Sequence, residues 1–117
     1  MTRLVRSARL FAEVAKLADE AAHRLEMIVE EWAANIIEHS RAEPGSPIVM
    51  RLERDQGVVR ATFSDAGIAF DPREVEHEGP NLERGGGAGI ALIRNWSEIE
   101  ACHRRAGRNR LVLRLKS

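Results

Sequence analysis

Between Ser7 and Ser40 the chain contains neither glycine nor proline, and the run is dense in Ala, Leu, Glu, Arg and Lys. Such a stretch favours helix by propensity, yet it exceeds one ordinary globular helix, so the sequence predicts two. Ser7 can cap the first, with Leu10, Val14 and Leu17 as its apolar stripe. The break is expected near Asp19 to Ala22. The second helix carries Leu25, Ile28, Val29, Trp32, Ile36 and Ile37.

Beyond Ser40 the chain is punctuated by turns. Glu43-Pro44-Gly45-Ser46-Pro47 is a turn signal. Ile48 to Arg54 alternates in hydropathy and Val58 to Phe63 comes after Asp55-Gln56-Gly57, which predicts a hairpin. From Asp65 to Gly89 the chain is glycine-rich with little periodicity, and a loop of that length in a compact domain usually has a function or no order. Ile90 to Trp96 is expected to be a short helix. Glu98 to Arg104 and Arg110 to Lys116 are expected to be closing strands around Ala106-Gly107-Arg108-Asn109. The elements predict an α+β fold: a two-layer sandwich in which one mixed, mostly antiparallel sheet packs helices on one face.

With 117 residues, the chain is expected to be a single domain over 1–117. Eighteen basic residues balance eighteen acidic ones, which argues against nucleic acid as a partner. Cys102 is the only cysteine, so an intrachain disulfide and a paired zinc motif are excluded. No signal peptide is evident and no apolar run approaches the roughly 20 residues of a membrane span, so no membrane association and a cytoplasmic setting are expected.

Three segments carry chemistry. Glu31, Asn35 and His39 recur every fourth residue and so form one stripe at the rim of the second helix's apolar arc. An Asn carbonyl suits Mg²⁺, and a carboxylate one turn away can take a proton. Asp65 stands at a strand end followed by Gly67 and Phe70; there it can accept from an exocyclic amine such as adenine N6, with Gly67 allowing close approach. Arg84-Gly85-Gly86-Gly87-Ala88-Gly89 opens a helix, where free N–H groups and the helix dipole favour an anion. Taken singly, each has a plainer reading: a solvated helix flank, a strand exit and a hinge.

Their order and spacing are more specific. The chain resembles the GHKL ATPase superfamily, and within it the anti-sigma-factor serine kinases. The family's N box is matched by Glu31, Asn35 and His39. Its G1 box is matched by Asp65 to Asp71, and its G2 box by Gly85, Gly87, Gly89 and Ile90. The resemblance spans about residues 7 to 116 and implies a Bergerat-type ATP-binding fold. It implies ATP and Mg²⁺ as cofactors, Asn35 as the Mg²⁺ ligand and Glu31 as the general base. Asp65 would read adenine, Gly67 and Phe70 would shape the base pocket, and Gly85 to Gly89, with Ala88, would hold phosphates beside His39 and Arg84. Residues 72–84 would be the ATP lid. The implied activity is phosphorylation of a serine on a STAS-domain anti-anti-sigma protein, with a sigma factor as a further partner of many members and a homodimer as the expected assembly. A non-catalytic ATP-binding regulatory module and the catalytic domain of a split histidine kinase are the alternatives. The chain departs from the family in three places. Its leading strand is missing or reduced to Arg3 to Arg6, no glycine joint separates the first two helices, and Trp96-Ser97-Glu98 replaces the acidic signature after G2.

Overall fold

The computed structural model describes residues 2–39, 46–74 and 86–116. Helix α1 (Arg3–Val14) comes first and is capped by the Thr2 hydroxyl, which accepts from the Val5 N–H at 3.1 Å; the expected cap, Ser7, lies inside it. Arg3 to Arg6 are therefore helical, not a remnant strand. The buried face of α1 is Val5, Ala8 and Ala12. Leu10 and Val14, expected to face inward, are 61% and 75% exposed. Small side chains let α1 approach its neighbour closely, and that closeness outweighs the size of the aliphatic residues elsewhere on the helix.

The joint to α2 (Asp19–His39) lies a little before the expected break. Ala15 ends α1 and Lys16 takes a left-handed φ of 55°. The Leu17 N–H then donates to Ala12 O at 3.0 Å and the Lys16 N–H to Glu13 O at 3.2 Å. This is the Schellman pattern, with lysine where glycine is usual. The Arg54 guanidinium donates to the Ala15 carbonyl and so places a cation at the negative end of α1. Asp19 and Glu20 open α2, where carboxylates favour the positive end. Leu25, Ile28, Val29, Trp32 and Ile36 are buried as expected, while Ile37 is 70% exposed.

Strands β1 (Val49–Asp55) and β2 (Val58–Asp65) form the expected hairpin. Gln56 and Gly57, with φ of 51° and 82°, make its two-residue turn, the twist that suits a tight hairpin. A 3₁₀ turn covers Pro72–Glu74. Helix α3 (Gly86–Trp96) takes in glycines that the sequence places in a loop before Ile90. It runs directly into β3 (Ser97–Arg105), and the Ser97 hydroxyl donates to Ile93 O at 2.5 Å across that junction. The final turn is Ala106-Gly107, with φ of 53° and 76°, and β4 runs over Arg108–Leu115. Arg108 and Asn109, expected in the turn, are strand.

The sheet order is β1-β2-β4-β3, and every pair among the described residues is antiparallel. Val59, Ala61 and Phe63 of β2 and Leu111 and Leu113 of β4 alternate inward against α1, α2 and α3. The opposite face carries Arg60–Glu100 and Arg114–Glu98 ion pairs. The expected α+β two-layer sandwich with helices on one face is the observed architecture. Substituting Lys16→Gly should relieve the left-handed strain and stabilise the fold by about 0.5–1 kcal/mol. Urea unfolding would measure this, and a destabilisation would contradict the assigned joint.

Candidate functional site

Strand β2 ends at Asp65, whose Cα partner across the sheet is Asn109 near the start of β4. Both side chains are buried, at 5% and 8% exposure, so both need hydrogen bonds. The Asp65 carboxylate accepts through Oδ1 from the Gly67 N–H at 2.9 Å and from Asn109 Nδ2 at 3.2 Å. Asn109 Nδ2 also donates to Ile68 O at 2.7 Å. The Arg104 guanidinium closes the group, donating to Asn109 Oδ1 at 3.0 Å and to Gly67 O at 2.6 Å. The segment leaving β2 is thus tied to β3 and β4 by side chains. No hydrogen bond to Asp65 Oδ2 is made among the described residues.

Asp65 and Asn109 line a recess with Trp32, Asn35, Ile36, Ile68 and Phe70. The recess is nearly closed, with a free volume of about 10 Å³, room for about one water molecule, so a base enters only when its lining opens. Trp32 and Phe70 stand 5.9 Å apart, ring centre to ring centre, with Phe63 at 6.4 Å on the inner side of Trp32. Two expected residues, Asp65 and Phe70, and the Mg²⁺ candidate Asn35 therefore meet in one place. Gly67 serves it indirectly, through its bonds to Asp65 and Arg104.

The loop exit is held separately. Arg73 pairs with Asp71 at 2.7 Å and donates to Cys102 O at 3.2 Å. This guanidinium holds the Asp71 carboxyl below the usual carboxylate range. The last position of the G1 match thus pins the loop back onto β3.

The N-box stripe is in place on α2: Glu31 and Asn35 are half-buried, and His39 is the last residue of the helix. Gly87, Ala88 and Gly89 fall in the first turn of α3, where backbone N–H groups lack intrahelical acceptors. Arg84, Gly85 and residues 75–84 of the expected lid lie outside the described residues. The carboxylate of Glu31 rests against Gly89, so that a Cβ added there would sit 2.5 Å from Glu31 Oε2. Glycine at 89 is what lets the candidate base lie against the glycine-rich turn. Sequence reasoning misses Asn109 and Arg104. Their only signal is position at the turn end of a strand pair, and the residue types there place the turn two residues too far along.

This fold is the α+β sandwich of histidine kinase ATPase domains. The profile of the histidine kinase-like ATPase domain matches residues 1–115, and the chain belongs to that GHKL-type family. Two solved structures share its fold. One is the histidine kinase domain of the Erythrobacter litoralis EL346 blue-light activated histidine kinase, with 19% identity, a TM-score of 0.58 and 82% of this chain covered. The chain spans only 47% of that structure's length. The other is the catalytic domain of histidine kinase ThkA, with 17% identity, a TM-score of 0.58, and 96% of this chain and 88% of that one covered. No curated protein matches the sequence. Among the described residues no helix is long and apolar enough to cross a membrane.

Asn109→Ala should leave the Ile68 carbonyl and one Asp65 oxygen short of a donor. Unfolding free energy should fall by about 1–3 kcal/mol, the cost of unpairing buried polar groups. A change within error in urea denaturation would show that these bonds contribute nothing.

Proposed function

We propose that the chain binds Mg-ATP in this recess and acts as a protein serine kinase of the anti-sigma-factor type, on a STAS-domain partner. The observation that carries the reading is the seating of Glu31 against Gly89 of α3, one helical turn from Asn35. The donor set fits the cofactor. Asp65 Oδ2 has an open acceptor position, aromatic and aliphatic walls flank it, and the Asn35 carbonyl is a hard oxygen. Mg²⁺ commonly takes one or two protein oxygens and fills its remaining positions with phosphate and water. Bound Mg-ATP would supply the transferable phosphoryl group, and the chain would supply positioning and charge stabilisation. Asp65 accepts from the base amine, Asn35 holds the metal, and the first turn of α3 faces phosphate oxygens with free N–H groups.

A serine hydroxyl is a weak nucleophile until a base relieves it of its proton, whereas an imidazole nitrogen carries a free lone pair. A carboxylate placed like Glu31 is therefore useful to a serine kinase and idle in a pure binder. A sigma factor as second partner and a homodimer belong to the same proposal.

Calorimetry with Mg-ADP and phosphotransfer to a STAS protein test it together. Asp65→Asn should weaken nucleotide binding by about 1–3 kcal/mol, since the new amide presents a donor to an amine. Glu31→Gln should leave affinity nearly unchanged and slow phosphotransfer by about 10²–10⁴-fold. Transfer at the wild-type rate would remove Glu31 from catalysis. Binding without transfer by the wild type would make the chain a regulatory binder, and no binding would refute the site.

Gly89→Ala separates position from stability. Alanine favours a helix over glycine by roughly 0.5–1 kcal/mol, and the atom it would strike is the free end of a flexible side chain. The variant should melt no lower than wild type and yet transfer phosphate more slowly, because Glu31 is displaced. Unchanged transfer would show that the contact has no catalytic role.

A further inference from the structure

One buried side-chain polar atom among the described residues has no hydrogen-bond partner: Nε1 of Trp32. The residue is 3% exposed, on the inner face of α2, with the rings of Phe63 and Phe70 beside it. A leucine there would fill space without that penalty. Buried tryptophan N–H groups ordinarily find an acceptor, and one left unpaired is disfavoured. Its acceptor is thus to be sought outside the described chain.

We propose that the Trp32 indole N–H donates to a ring nitrogen of the bound purine, making Trp32 a base-specificity residue; this rests on the nucleotide-binding reading above. Trp32 and Asp65 line the same recess, the indole N–H buried behind the lining and the Asp65 carboxylate accepting at Oδ1 from Gly67 and Asn109. A donor beside an acceptor complements an aminopurine, which presents an amine and ring nitrogens in one plane. A phosphate does not fit, because the Asp65 carboxylate repels it. A flat base can stack on the ring of Phe70, which stands 5.9 Å from Trp32. The N–H is closed to solvent, so the base reaches it by displacing a rim side chain. Ile68, at 48% exposure, is the exposed apolar residue of the recess lining.

The test uses the whole chain with ADP and its 1-deaza, 3-deaza and 7-deaza analogues, each lacking one ring acceptor. Wild-type affinity, measured by calorimetry, should fall about tenfold for one analogue, the worth of one hydrogen bond to a buried donor. Trp32→Phe should bind ADP about tenfold more weakly and bind that same analogue no worse than ADP. On the wild type, the indole ¹H–¹⁵N resonance of Trp32, assigned by its persistence in Trp96→Phe, should move downfield with ADP and stay in place with that analogue. This readout needs no variant at position 32. If ADP binds while all three analogues match it and the Trp32 resonance stays in place, the N–H is served by a trapped water and the proposal is overturned. If no adenine nucleotide binds at all, the nucleotide-site reading fails first and takes this one with it.

Discussion

The Asn109 carboxamide is the point on which the site depends. It lies where the two central strands meet, and its hydrogen bonds reach Asp65, Ile68 and Arg104. A buried carboxamide that satisfied only itself would gain little over an apolar residue. This one sets the path of the chain as it leaves β2, and so the direction of the Asp65 carboxylate. The apolar sandwich beneath it, from Phe63 to Leu113, gives that polar group a rigid base. The Asp65 end of the recess therefore rests on strand pairing, whereas Glu31, Asn35 and Gly89 sit on helices.

The helices contribute by closeness. Gly89 removes the one Cβ that would keep Glu31 away from α3, and Ala8 and Ala12 do the equivalent for α1. Trp96 fastens α3 to α2 from the other side, its ring 5.5 Å from the Arg24 guanidinium carbon. That contact is partly solvated and is worth about 0.5–1 kcal/mol at most exposed sites. It joins α2, which carries Glu31 and Asn35, to α3, which carries Gly89.

Much of this is legible in the sequence. The spacing of Glu31 and Asn35 is a helical period, and Asp65 stands at the end of an alternating run; both patterns are local. The hidden parts depend on tertiary contacts. No residue type announces that Lys16 adopts φ 55°, because the joint is held by the bonds of Leu17 and by Arg54 from a distant strand. Gly86, Gly87 and Gly89 have poor helix propensity, and they are helical here where α3 packs on α2. Leu10 and Val14 look like core until the alanines beside them are seen to set the contact. Asn109 is hidden because asparagine shortly after glycine reads as turn, while the turn here is Ala106-Gly107.

The register of β3 against β4 is irregular between Ile99 and Ala101. In the described sheet, β3 is an edge strand, and its outer N–H and C=O groups offer a template for another strand except at Cys102, whose carbonyl accepts from Arg73. A bulge breaks the evenness of that template, and Arg104 and Arg105 charge its far end. The other edge, β1, carries Arg51, Glu53, Arg54 and Asp55. Both edges thus resist sheet-to-sheet growth, so crowding in a concentrated solution should not seed fibrils from the native fold.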